Sequence, residues 1–190
     1  MALGAYHYIR QSWKKPTREM LQERLIAWRE GNSVVRVDKP LRLDRARSLG
    51  YKAKTGIIVL RVRIKRGGRK RTRHKHGRKS RKQHIRKILK MNYRWVAELR
   101  AANSYNNLEV LNSYLLAKDG KYYFYEIIMI DPTKPEILND PNLAWISSST
   151  NKNRAHRGLT SAGKKSRGLR SKSPNQKVRP SLRSWSRMGK

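Results

Sequence analysis

Cysteine is absent from the 190 residues, and phenylalanine occurs once. The lack of cysteine excludes disulfides and thiolate metal sites, and it fits a reducing interior. Long apolar runs are missing too. None approaches the roughly 20 residues that span a bilayer, so no membrane partner is expected. Met1 to Arg10 lack the apolar stretch and small-residue cleavage site of a signal peptide, and the chain reads as soluble and intracellular. Acidic residues are scarce: 12 Asp and Glu stand against 47 Lys and Arg, a formal net charge of +35. So many like charges oppose compaction, and the fold needs a polyanion nearby. Hydrophobic residues make up 37% of the chain, too few for all of it to bury a core.

The gaps in the acidic residues outline the organisation. All 12 acids fall between Glu19 and Asp140, with none among the 53 residues from Arg45 to Ala97 and none from Pro141 onward. Between Lys65 and Lys87, 13 of 23 residues are Lys or Arg, and from Thr150 to Lys190 another 13 of 41 are. Met91 to Ser149 differs: 5 cations and 7 acids give a net charge of −2, and 9 of the 15 aromatic residues lie there. A body with cationic extensions follows. Residues 1–64 are expected to form the N-terminal part of the body and 65–84 a basic, glycine-hinged arm. Residues 85–149 complete the body, and 150–190 form a basic C-terminal extension without a core.

Local patterns place the elements. Thr17 is suited to cap a helix in which Leu21, Leu25 and Trp28 recur before Gly31. Ser33 to Asp38 reads as a short strand ending at Pro40. In Ile57 to Lys65, the residues Ile58, Leu60, Val62 and Ile64 share one face, while Arg61, Arg63 and Lys65 share the other. Such a strand can cover a core and offer cations to phosphate at once. Arg81 to Ala102 has helical spacing through Ile85, Ile88, Leu89, Trp95 or Val96, and Leu99. Leu108–Ala117 and Lys121–Ile130 flank Asp119-Gly120, a hairpin signal resting on positive φ at the turn. After Ser149 no periodicity survives. Helices mixed with hairpin-paired strands predict an α+β fold, a small antiparallel sheet with packed helices plus long basic extensions.

The densest candidate site is the arm: Lys65, Arg66, Arg69, Lys70, Arg71, Arg73, His74, Lys75, His76, Arg78, Lys79, Arg81 and Lys82, jointed by Gly67, Gly68 and Gly77. Arginine offers a planar fork to phosphate and stacks on exposed bases. The run is longer than a simple nuclear-import signal. The tail repeats the chemistry with Lys152, Arg154, Arg157, Lys164, Lys165, Arg167, Arg170, Lys172, Arg179, Arg183 and Arg187, while His156 and Trp185 can stack on unpaired bases. Arg45, Arg47, Lys52, Lys54, Arg61 and Arg63 complete the RNA-binding set, with the face carrying Arg45, Arg47, Arg61 and Arg63 as the part that reads RNA shape.

Other chemistries fit poorly. His74 and His76 have no cysteine or nearby carboxylate to complete a metal site, and the surrounding cations repel a divalent ion. No metal, cofactor or small-molecule substrate is expected. Asp38 with Asp44, or Glu126 with Asp131, could be paired for catalysis, but no spacing specifies it and they read as ordinary surface acids. Gly67-Gly68 lacks the following Lys and Ser/Thr of a phosphate loop, so no enzyme is expected. The block Tyr122-Tyr123-Phe124-Tyr125 reads as core rather than as a base-stacking platform. Membrane-surface binding calls for a basic amphipathic helix, which Lys65 to Lys82 does not supply. Chromatin-type DNA binding is the main alternative. Long arms with glycine joints favour irregular RNA, which is recognised by shape and backbone.

A resemblance adds to this. The stretch Asp44-Arg45-Ala46-Arg47-Ser48-Leu49-Gly50-Tyr51-Lys52-Ala53 and the run from Gly56 to Gly67 resemble the signature of the archaeal and eukaryotic large-subunit ribosomal protein fifteen, e-type. So do the opening Met1-Ala2-Leu3-Gly4-Ala5-Tyr6 with Trp13, and the ending from His156 through Gly163 to Arg183. The length and segment order resemble archaeal members. The resemblance implies a structural protein of the cytoplasmic ribosome. Its α+β body and extended basic segments would bind large-subunit ribosomal RNA beside neighbouring ribosomal proteins.

Overall fold

Sequence-local signals build a chain of short elements around one sheet. The computed structural model describes residues 3–70 and 86–170, with side chains for 3–68 and 88–170. In chain order the helices are α1 (Ala5–Lys14), α2 (Arg18–Glu30), α3 (Leu43–Ser48), α4 (Tyr93–Ser104), the single turn α5 (Pro135–Leu138) and α6 (Ser161–Ser166). The strands are β1 (Val34–Val37), β2 (Ile57–Lys65), β3 (Arg69–Lys70), β4 (Arg86–Lys87), β5 (Glu109–Lys118) and β6 (Tyr122–Ile130). Strands β1-β2-β6-β5 form one antiparallel sheet in that order, and β3 pairs with β4 in a separate ladder at the root of the arm. The architecture is α+β.

Central strand β6 is buried without interruption from Phe124 to Ile130, so both faces of the sheet need a cover. On one face Leu60, Val62 and Ile64 join Tyr125, Ile127 and Met129 beneath Ala97 and Ala101 of α4. Two alanines let that helix approach closely. On the other face Phe124, Ile128 and Ile130 pack under Trp28 of α2, Ala46 of α3, and Ile137, Leu143 and Ile146. The Trp28 and Phe124 ring centroids are 5.4 Å apart. Each such fully buried side chain stabilises the fold by about 1.5–3 kcal/mol. The aromatic block is therefore core at Phe124 and Tyr125, while Tyr122 and Tyr123 are half-buried.

The predicted first helix, first strand and long strand are present with Thr17 and Gly31 flanking α2, although Thr17 makes no side-chain cap bond. The hairpin is present, but its turn works differently. Gly120 is not among the positive-φ residues. Instead the Asp119 carboxylate accepts from Lys121 N at 2.7 Å, and Asp119 N donates to Tyr122 O at 2.9 Å. The helix expected over 81–102 is also corrected. Residues 86–87 are β4, Ile88 is 95% exposed, and α4 starts only at Tyr93. Asn92 sets that start because its Oδ1 accepts from Trp95 N at 2.7 Å. The stretch 81–85 lies outside the described residues.

Up to residue 170 the basic C-terminal segment packs on the core of the body. There Ala155, Thr160 and Ala162 are buried. Gly163 meets the backbone of Gly158 so closely that a Cβ would sit 2.6 Å from the Gly158 Cα. Only glycine permits this approach.

Candidate nucleic-acid interface

The predicted cations divide according to what the fold gives each to hold. Arg61 and Arg63 project from β2 onto the face covered by α2. Arg61 lies 5.0 Å from the Trp28 ring and stands opposite Glu126 in the sheet register. Burial lowers the pKa of its guanidinium, and Glu126 opposes the shift. Arg63 lies 4.9 Å from the Tyr122 ring and donates to Arg29 O at the end of α2, where a cation suits the helix dipole. The strand expected to serve core and phosphate together thus has both faces packed against helices, and these two half-buried arginines brace α2. Lys52 and Lys54 both grip Asp140, at 2.6 and 2.8 Å. Their side chains pull the Asp140 carboxyl below its usual range.

Arg154 and Arg167, predicted as RNA ligands, are buried at 8% and 4% exposure. Arg154 Nη1 donates to Leu111 O at 2.8 Å and also to Val110 O, pinning the tail to β5. Arg167 donates to Gly158 O at 3.1 Å. Burial lowers the pKa of both. Arg157 is half-buried and donates to Thr150 O at 2.7 Å and Lys152 O at 3.1 Å. In the described structure these three guanidiniums hold their own backbone.

The acids weighed for catalysis also change place. Glu126 is fully buried, accepts from the Tyr114 hydroxyl and from Leu41 N at 3.2 Å, and has its pKa raised by that burial. Asp44 is buried beside Arg42 at 3.5 Å. Neither is a surface acid, while Asp38 is exposed and Asp131 half-buried.

Other predicted cations stay outward. Arg45, Arg47, Lys65, Arg66, Lys152, His156, Lys164, Lys165 and Arg170 are exposed. Arg47 lies 5.7 Å from the Tyr6 ring of α1. Arg66 sits 5.2 Å from the Tyr123 ring and donates to Asp119 O at 2.7 Å, fixing the arm root on the hairpin turn. Arg69 and Lys70 lie in β3, described by backbone alone. Arg71, Arg73, His74, Lys75, His76, Arg78, Lys79, Arg81, Lys82, Lys172, Arg179, Arg183, Trp185 and Arg187 lie outside the described residues.

Several of these cations meet at one place. A cleft of about 340 Å³ opens between β5, α6 and the turn at 144–147, with Asn112, Trp145, Arg154, Lys164 and Arg170 in its lining. Arg94 of α4 stands beside it, donating to Asn112 Oδ1 at 2.6 Å and Ser113 Oγ at 2.7 Å. Burial lowers the Arg94 pKa; Glu98 opposes that, and the charges of Arg45 and Arg170 add to it. Glu98 beneath is fully buried and receives the hydroxyls of Ser113 and Thr160. Sequence reading omitted Arg94 and Trp145 because both lie in the near-neutral segment. Their only signal was a cation and an aromatic in a stretch otherwise read as core.

Among the described residues, no helix is long and apolar enough to cross a membrane, and no group of three His or acidic side chains could hold a metal. Comparison with known proteins finds relatives along the whole chain. The family model described as Ribosomal L15, of the L15e type, matches residues 4–185. The large ribosomal subunit protein eL15 of Methanocella arvoryzae is 48% identical over 196 aligned positions, spanning the whole of both chains. With its signature stretches inside that match, the chain belongs to the ribosomal L15e family.

Proposed function

We propose that this protein binds and stabilises large-subunit ribosomal RNA by neutralising phosphates and fitting RNA shape, beside neighbouring ribosomal proteins. Family membership makes it a structural constituent of the large subunit of the cytoplasmic ribosome and not an enzyme. The binding mechanism rests on one observation. Of the 12 acids, Asp44, Glu98, Glu126 and Asp140 are buried, whereas Arg45, Arg47, Lys65, Lys164, Lys165 and Arg170 face outward. Among the described residues the fold buries four acids against two cations, Arg154 and Arg167, so the balance of its exposed charge is strongly positive. Such a surface releases counterions from a polyanion, and contacts to 6–10 phosphates lose about 10³–10⁵ in affinity between 50 and 200 mM salt.

Fractionation of native lysate on a sucrose gradient, with parallel RNase and DNase treatments, tests this. The protein is expected to travel with the large subunit and to be released by RNase only. Release by DNase alone would establish chromatin-type binding instead.

A further inference from the structure

We propose that the cleft between β5, α6 and the 144–147 turn receives one unpaired nucleotide of the bound RNA, its base against Trp145 and its phosphate between Lys164 and Arg170. The proposal deepens the RNA-binding reading and rests on it.

Three features make the cleft a built site. The first is a fixed aromatic. Trp145 is 41% exposed, yet its Nε1 donates to Asn142 O at 2.9 Å and its carbonyl accepts from Asn151 Nδ2 at 2.6 Å. The Arg154 guanidinium lies 4.8 Å from its ring centroid. An indole held this way needs no ordering when a base arrives. Aromatic rings and guanidinium planes are the surfaces on which unpaired bases stack.

The second feature is a fixed guanidinium. Arg154 is more than nine-tenths buried, lines the cleft, and its Nη1 is held by the carbonyls of Val110 and Leu111. Anchored to its own backbone, it backs the Trp145 ring and keeps that indole in place.

The third feature is charge. Lys164 and Arg170 are exposed cations of the lining, and Arg45 and Arg94 belong to the same electrostatic cluster. Glu98 is engaged from above by Ser113 and Thr160 and lies fully buried. The occupant is therefore anionic as well as flat. At about 340 Å³ the cleft falls in the size range of small-ligand sites, roughly 300–1,000 Å³, and cannot admit a helix. A single unstacked nucleotide satisfies size, ring and charge together.

The test uses the full-length protein, a short single-stranded RNA oligomer, and a duplex with the same number of phosphates. Trp145→Leu is expected to weaken single-strand binding roughly 5- to 150-fold, the range for one stacked base, and to leave duplex binding within about two-fold. Equal losses on both RNAs, or none, overturn the cleft proposal while leaving RNA binding intact. A wild-type protein that binds neither RNA overturns both. If Trp145→Leu does not fold, ultraviolet cross-linking of the wild type to a 4-thiouridine oligomer decides. Adducts on the peptides carrying Trp145 or Lys164 support the site, and adducts confined to other segments overturn it.

Discussion

The Tyr93 hydroxyl accepts from Gly67 N at 2.8 Å and donates to Gly67 O at 3.0 Å, closing both backbone groups of one residue at the root of the arm. Gly67 has φ +111°, a conformation unfavourable to side chains. Tyr93 in turn stacks on Tyr123 at 5.0 Å, which carries Arg66 on its ring. The arm therefore leaves the body through an oriented joint. Tyr93→Phe is expected to cost under about 1 kcal/mol in urea unfolding, because the bonds are exposed. It should also speed hydrogen exchange at the Gly67 amide. Unchanged exchange would mean that the clamp does not hold in solution.

Gly120 and Gly163 separate two kinds of glycine. A Cβ on Gly120 meets nothing within 4 Å, and the residue is not at positive φ. Gly120→Ala is expected to change stability by less than about 0.5 kcal/mol. At Gly163 a Cβ would lie 2.6 Å from Gly158 Cα and 2.7 Å from its carbonyl carbon, backbone that cannot swing aside. Gly163→Ala should cost about 3 kcal/mol. Denaturant melts of the two variants would read the contrast directly.

This contrast also marks how far the sequence is legible. Helix α2, strand β2 and the hairpin read clearly because their patterns are local and their apolar residues face a core. α1 and α3 escape notice: one buries no residue, and the other spans six residues, too few for a period. Charge is the harder case. Lys152 and Arg154 stand two residues apart in a uniformly basic tail, yet one is exposed and the other is buried against β5. The carbonyls of Val110 and Leu111 that decide this are more than 40 positions away, and no local pattern announces them. For the same reason nothing local in β2 announces that Arg61 and Arg63 pack against α2.

The two fates of the tail cations give a paired prediction. Arg154→Ala removes a buried guanidinium from two carbonyls and should destabilise the protein by about 3 kcal/mol. Lys164→Ala removes an exposed cation. It should leave the melting curve unchanged and reduce the slope of log affinity against log salt for RNA by about one. Swapped outcomes, with Lys164 structural and Arg154 felt only in binding, would reverse the assignment.

Acid stability should show two opposed contributions. Burial raises the Glu98 and Glu126 pKa values above the ordinary 4.5, so the folded state holds those protons more tightly than the unfolded chain does. Their contribution is greatest below pH 4.5 and declines as pH rises through the raised values. Asp140 runs the other way. Its pKa falls from 3.8 because Lys52 and Lys54 bind the carboxylate, so its contribution is present above pH 3.8 and is lost as pH falls through the lowered value. Glu126→Gln deletes one declining contribution while keeping an acceptor for the Tyr114 hydroxyl. Plotted from pH 4 to 7, its stability should fall less steeply than that of the wild type. Asp140→Asn should instead flatten only the most acidic limb, below about pH 4, because the ordinary Asp value bounds its window. Urea titrations across that range check both curves. Parallel curves for wild type and Glu126→Gln would show that Glu126 stays ionised in its buried site, held there by Tyr114, Leu41 and Arg61 against the pull of burial.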